Sequence, residues 1–344
     1  MWQKVRSTLL NLAASGIPTP AKIVMSEAKM HFPVKCGDYT DFYASKEHAS
    51  NVGTMFRGRE NAIMPNWVHL PVGYHGRSST LVVSGTPIKR PCGLVLNADK
   101  QPYYSASKKL DIELEMACVV GVGNEMGTRI PLEKWRDHLF GVAILNDWSA
   151  RDIQQFEYVP LGPFLGKNFG TSMAPWIVPF DALDPFLSAP PKQDPTPADY
   201  INPYAKPMSE EATKQALDIS FEVVFNGTVV ASPNIKSMYW TFAQMMAHHS
   251  VNGCALNTGD ILGSGTISSA SEATTQDDTV GHWGSLLELT WNGKRAIQTA
   301  KGERFFLEDG DEIVLRGHCV GSVDGKQVKM SLGECSGVIT PATP

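Results

Sequence analysis

The sequence predicts a mainly β fold with a few helices, on three observations. Glycine and proline, 30 and 23 of 344 residues, cut the chain into many short runs rich in β-branched and apolar side chains. Residues 110–120 alternate acidic and apolar side chains with a period of two, which is the period of a strand. Regular alternation of strand and helix is missing, which argues against a doubly wound parallel sheet.

In chain order, residues 5–14 read as a short helix closed by Gly16 and Pro18. The stretch before Glu27 carries no acid, but Arg6 is its sole arginine, so a connecting helix is a simpler reading than a mitochondrial presequence. Residues 46–55 have helical character, 79–84 and 110–122 strand character, 132–138 helical and 141–146 strand character. A helix is expected over 150–158, then a proline-rich excursion over 184–207 with no element of its own. Strands are expected at 219–224, 286–291 and 312–315, with a helix at 239–249.

A formal charge of −5 gives no basic field for phosphate backbones, so nucleic acid is not an expected partner. No apolar run approaches the roughly 18 residues of a membrane span, so no membrane association is expected. The 6 cysteines are scattered without a C-x-x-C pair, which predicts reduced thiols and an intracellular setting.

On a strand, Glu113 and Glu115 share one face while Ile112, Leu114 and Met116 share the other. Two readings fit the acids: a divalent cation with oxygen ligands, with further acids available at Asp38, Asp41, Asp147 and Asp152, or a half-solvated face with ordinary surface charge. His48, close after Asp41, is either a general base beside such a site or a surface or capping histidine. Arg151 and Gln154, at i and i+3 on the expected helix after Asp147, share a face and form either an oxyanion site with Lys167 or a surface pair. A nucleophile elbow and an H-E-x-x-H motif are absent, and residues 162–167 are one short of a P-loop. Met126 stands where a dinucleotide fingerprint needs its third glycine, and His248, His249 and Cys254 do not complete a zinc set.

Longer blocks carry a resemblance. Asp38-Tyr39-Thr40-Asp41-Phe42-Tyr43, Leu70-Pro71-Val72-Gly73-Tyr74-His75-Gly76-Arg77, Asn146-Asp147-Trp148-Ser149-Ala150-Arg151-Asp152-Ile153-Gln154-Gln155 and Gly263-Ser264-Gly265-Thr266-Ile267-Ser268 resemble the fumarylacetoacetate hydrolase family. The match runs from about residue 31 to the C-terminus. It implies a mixed β-sandwich roll of the family's C-terminal type, formed by a catalytic domain over 31–344. Residues 1–30 then resemble only a linker and the remnant of a small N-terminal β domain, which the chain is expected to lack.

The resemblance also implies site roles. Asp41, Glu113, Glu115 and Asp147 would bind Ca²⁺ or Mg²⁺, with Lys167 and Thr171 at a further magnesium contact. His48 would take the proton from water, oriented by a glutamate placed at Glu288, and Arg151, Gln154 and Lys167 would stabilise an oxyanion. Tyr43, Arg57, Gln154, Tyr158 and Thr266 would contact substrate. The implied activity is hydrolysis of 4-fumarylacetoacetate to fumarate and acetoacetate, the last step of tyrosine and phenylalanine breakdown, by a cytoplasmic homodimer. The alternatives are a relative acting on an acylpyruvate or other β-diketo acid, and a catalytically impaired, metal-stabilised module. Residues 269–283 are expected to form a loop longer than the family's, which bears most on the placing of Glu288.

Overall fold

The structure is a computed structural model and describes residues 2–16, 23–270 and 280–343. The chain divides into two units, residues 1–31 and 32–344. The first contains helix α1 (Trp2–Ser15), longer than the expected 5–14 and followed by Gly16 at φ +90°.

In the second unit the strands of the two large sheets are β1 (Tyr39–Phe42), β2 (Gly73–Gly76), β3 (Leu81–Val83), β4 (Ile88–Lys89), β5 (Leu114–Val120), β6 (Leu139–Asp147), β7 (Thr171–Met173) and β8 (Val178–Pro179). After these come β9 (Ser220–Phe225), β10 (Thr228–Ala231), β11 (Ile261–Gly263), β12 (Glu312–Val323) and β13 (Lys326–Thr340). The helices that matter for the site are α2 (Lys46–Arg57), α3 (Arg151–Glu157), α4 (Phe242–Ser250) and α5 (Leu286–Leu289).

One mixed sheet runs β2-β1-β11-β5-β6-β7-β3, with β8 added alongside β6. The β1–β11 and β7–β3 pairs are parallel and the rest antiparallel. A second sheet, β10-β9-β12-β13-β4, lays its inner face on the first. Met116 and Cys118 of β5, Ile144 of β6, Phe221 and Val223 of β9, and Ile313 and Leu315 of β12 are buried in one core cluster. The opposite face of β5 and β6 is buried as well, with Ala117, Ala143 and Leu145 packed against Tyr39 and Ile261. Burial on both sides rules out the half-solvated reading of residues 110–120, and it places the acids of that run inside the protein, where an unpaired charge is costly.

Four expectations need correction, one of them the proline-rich stretch 184–207, where Asp184–Phe186 form a 3-10 turn and Leu187–Ser188 pair with Ala216–Leu217. The run 110–122 is not one strand: residues 110–111 pair with residues 149–150, the ladder lapses at Ile112 and Glu113, and β5 begins at Leu114. Residues 286–291 are not a strand, because Leu286–Leu289 form a helical turn capped by Ser285, whose hydroxyl accepts from the Glu288 amide at 3.3 Å. Leu and Glu are good helix formers, and Ser285-x-x-Glu288 is a capping signature that outweighs the apolar run. The short strand at 312–315 extends through β12 into a long hairpin with β13. Of the expected loop at 269–283, residues 271–279 lie outside the described residues.

His248 and His249 do not meet Cys254 at a metal. Tyr200 Oη lies 2.8 Å from His248 Nδ1, and Thr40 Oγ1 lies 2.8 Å from His249 Nε2. All 6 cysteines are free thiols, and burial pushes Cys319 and Cys335 up to about 12, far from a reactive thiolate.

Candidate active site

The strand order brings four acids to one place. Asp41 is the third of the four residues of β1, Glu113 precedes β5, Glu115 lies within it, and Asp147 ends the neighbouring β6. β11 runs between β1 and β5, so Gly263 pairs with Asp41 on one side and Ala117 on the other. A side chain at Gly263 would put its Cβ 3.1 Å from both Asp41 Oδ1 and Glu115 Oε2, so glycine leaves the carboxylates their space. Gly265, at φ +74°, donates its amide to Glu115 Oε2 at 3.2 Å. One oxygen from each acid lies within 4.8 Å of the others, all four residues being buried.

Asp41 Oδ1 and Glu115 Oε1 are buried with no hydrogen-bond partner. Burial, and then repulsion from the neighbouring acids, pushes both groups well above the ordinary carboxylate range. Burial also raises Asp147, against the pull of Lys167. Glu113 goes the other way: Lys167 and Arg151 outweigh its burial and hold it below the usual range. Orphaned hard oxygens in a small, closed cluster are the donor set a divalent cation requires, so the residues fit such an ion.

Lys167 and Arg151 supply counter-charge. The Lys167 ammonium donates to Glu113 and, at 2.6 Å, to Asp147 Oδ2, while Thr171 Oγ1 donates to Asp147 Oδ1 at 2.9 Å. An ammonium has no lone pair for a cation, so among the Lys167 and Thr171 side chains only the Thr171 hydroxyl has an oxygen to offer an ion. Arg151 places Nη1 2.8 Å from Glu113 Oε1 and 3.4 Å from Gln154 Oε1. Its Nη2 is buried without a partner.

Opposite the acids, α2 presents His48 through a turn capped by Ser45, whose hydroxyl accepts from the His48 amide at 3.2 Å. His48 Nδ1 lies 2.7 Å from Glu288 Oε2. That oxygen also accepts from the Ser268 and Ser285 hydroxyls at 3.0 and 2.8 Å, and Asn51 donates to Oε1 at 2.9 Å. Burial opposes charge on Glu288, yet His48 and these donors overcome it and hold the group below the ordinary range. An ionised carboxylate surrounded by donors requires the proton on Nδ1, which leaves Nε2 as the basic nitrogen, 4.0 Å from Glu113 Oε1.

A cavity of about 560 Å³ opens over these groups. Its lining includes all five residues expected at substrate, Tyr43, Arg57, Gln154, Tyr158 and Thr266, together with Asp41, His48, Glu113, Arg151 and Lys167. Glu115, Asp147, Thr171 and Glu288 are buried behind that wall. Thr266 Oγ1 is buried and unpartnered, whereas Arg57 is partly spent on the Asn61 and Ala62 carbonyls at 3.0 and 2.7 Å. Residue-by-residue reading of the sequence does not find Gly263, Tyr74, whose hydroxyl stands 3.4 Å from Asp147 Oδ2, or Asp111, whose Oδ2 accepts from Arg151 Nε at 2.7 Å. The available signals were the Gly263-Ser264-Gly265 and Tyr74-His75-Gly76 blocks, which favour close approach of the backbone.

The sequence profile of the fumarylacetoacetate (FAA) hydrolase C-terminal family matches residues 38–328. This chain belongs to that family. Among its members the chain is 49% identical to the fumarylacetoacetase of Rattus norvegicus over 358 residues, covering 99% of this chain and 81% of the rat protein. It is 48% identical to the Homo sapiens fumarylacetoacetase at 99% and 81% coverage, and 47% identical to that of Arabidopsis thaliana at 100% and 80%. Two more distant solved structures share the fold. One is described as a putative HpcE protein from Mycobacterium smegmatis, with TM-score 0.59 and 18% identity over 98% of this chain and 86% of that one. The other is a fumarylacetoacetate hydrolase from Exiguobacterium antarcticum, with TM-score 0.50 and 18% identity over 93% and 83%.

Proposed function

We propose that this chain hydrolyses the carbon–carbon bond of 4-fumarylacetoacetate, releasing fumarate and acetoacetate. The observation that carries this reading is a histidine base, a free arginine donor and a carboxylate cluster around one cavity, in a chain 47–49% identical to fumarylacetoacetases across nearly its whole length. Residues 31–344 hold all of the site, and residues 1–30 serve as a linker.

Hydrolysis beside a carbonyl needs an activated water and a place for negative charge. His48 Nε2 removes a proton from water held at the cavity wall, and Glu288 keeps the imidazole oriented and steadies its cationic form. Hydroxide adds to the carbonyl carbon at the fumaryl end, and Arg151 Nη2, with Gln154 and Lys167 beside it, faces the resulting oxyanion. Collapse breaks the carbon–carbon bond. The hydroxyl stays on the fumaryl carbon, and the acetoacetate carbon takes up the proton. Asp41, Glu113, Glu115 and Asp147 would hold Ca²⁺ or Mg²⁺, which would supply positive charge to the site. Tyr43, Arg57, Tyr158 and Thr266 position the substrate.

A cytoplasmic homodimer acting at the last step of tyrosine and phenylalanine breakdown completes the proposal. Its test is a side-by-side turnover assay of 4-fumarylacetoacetate and acylpyruvates, with and without added Ca²⁺ or Mg²⁺. Faster turnover of an acylpyruvate would transfer the activity to another β-diketo acid, and no turnover of either would leave a metal-stabilised module. Light scattering on the active preparation tests the dimer.

A further inference from the structure

Asp111 has no part in the mechanism above, yet it is fully buried and its carboxylate makes four hydrogen bonds. Oδ1 accepts from the Ile112 and Leu286 amides, both at 2.7 Å. Oδ2 accepts from the Leu287 amide at 3.0 Å and from Arg151 Nε at 2.7 Å. Every contact is a donor, so the lone pairs of the carboxyl group are engaged. Two of those donors open α5, the turn that carries Glu288, and a third belongs to the arginine that faces the oxyanion.

We infer that Asp111 is a positioning residue that locks Arg151 and the Glu288 turn into one unit, so that a single carboxylate sets the base side and the oxyanion side of the site relative to each other. Because Nε is tied to Asp111 and Nη1 to Glu113, the guanidinium plane is fixed and Nη2 is the one nitrogen of the group left without a protein partner. Without Asp111, the arginine fork is free to turn fully onto Glu113, and Nη2 leaves its place. The Leu286 and Leu287 amides lose their acceptor at the same time, and with them goes the anchor of the Glu288–His48 pair. Misplacement by about 1 Å costs on the order of 10²-fold in rate, so this coupling has catalytic weight without touching substrate.

The inference rests on the proposed hydrolysis, and its test separates the two. Asp111→Asn puts an amide NH₂ where two donors converge, and Asp311→Asn is the comparator. Asp311 is an equally buried acid, held by Asn226, Arg304 and the Glu308 amide, none of which lines the cavity. Both variants should lose thermal stability. Only Asp111→Asn should lower kcat on fumarylacetoacetate, by about 10²-fold, with KM within about threefold. The NMR signals of the Arg151 Nε proton and the His48 Nδ1 proton should both move in Asp111→Asn and stay in place in Asp311→Asn. If Asp111→Asn does not fold, Asp111→Ser, which keeps an acceptor for one α5 amide, is measured in the same way. A stability loss with kcat within about threefold of wild type and both signals in place would make Asp111 a cap only and overturn the inference. A wild-type chain that does not turn over fumarylacetoacetate would sink the functional reading, and the two proton signals would still decide the role of Asp111.

Discussion

The two sides of the cavity are built on opposite principles. Around Glu288, three side-chain hydroxyl or amide groups and one imidazole converge on a single buried carboxylate, which is held ionised. Around Asp41 and Glu115, the buried Asp41 Oδ1 and Glu115 Oε1 have no donor, and burial, then repulsion from the neighbouring acids, pushes both groups toward the protonated form. The first side is organised by the protein's own hydrogen bonds. The second leaves buried acids crowded together, a frustration that a bound cation would relieve.

Removing the base tests the self-sufficient side and should give the largest effect. His48→Ala is expected to lower turnover about 10²- to 10⁴-fold while leaving calorimetric Ca²⁺ and Mg²⁺ binding and thermal stability near wild type. Glu288 keeps three donors in that variant, so its environment survives. More than about half of wild-type turnover would remove His48 from the chemistry.

The cation-dependent side is probed most cleanly through a residue that is no ligand. Gly263→Ala brings a Cβ into the space between Asp41 and Glu115 and against the Tyr39 ring. Affinity for the ion should fall about 10- to 100-fold by calorimetry, the range seen when groups behind metal ligands are disturbed. Unchanged affinity would show that the carboxylates have room to spare, and that the cluster is looser than its glycine implies.

Much of this contrast could be read from the sequence, and the reason differs on the two sides. The period-two run at 110–120 gave the acids away because strand geometry is local, and Asp41 and Asp147 stood in blocks long enough to carry a family resemblance. That the polar face is buried does not follow from local spacing, since it depends on the neighbours the strand order brings alongside, Tyr39 of β1 and Ile261 of β11. The turn holding Glu288 reads as a strand because four apolar-rich residues fit either period, and the contact of its Leu286 amide with Asp111, 175 positions away, cannot be seen in local spacing. β13 escaped notice because glycines at 333 and 337 and its polar residues interrupt the apolar alternation. Its pairing with β12, not its composition, makes it a strand.

Acidity separates the two sides further. Asp41 and Glu115 have raised values in the folded protein, so the folded state binds protons that the unfolded chain has already released. In metal-free protein their contribution is fully present below about pH 4 and is lost as pH rises through the raised values. Glu288, held low, has the opposite sign: its contribution is present above about pH 4 and disappears as pH falls through its lowered value. The gain in melting temperature from saturating Ca²⁺ should therefore grow as pH is raised from about 5 to 8, because protons compete with the ion for the same carboxylates. A pH-independent gain across that range would mean that the ion does not displace protons from this cluster.

The smallest expected effect is the most discriminating, because its sign reverses between the two sides. Glu288→Gln sets an amide NH₂ among donors and should destabilise the metal-free protein by about 1 to 3 kcal/mol. Glu115→Gln removes a charge from a crowd of like charges, keeps an oxygen for the Gly265 amide, and offers an NH₂ to the neighbouring acids. In chelator it should be more stable than wild type by about 1 kcal/mol, whereas in saturating Ca²⁺ the order should invert because the ligand is gone. Denaturant midpoints measured with and without the ion give both comparisons in one experiment. If Glu115→Gln destabilises the metal-free protein as Glu288→Gln does, then Glu115 is already satisfied by the protein, and the division between a self-sufficient side and a cation-dependent side does not hold.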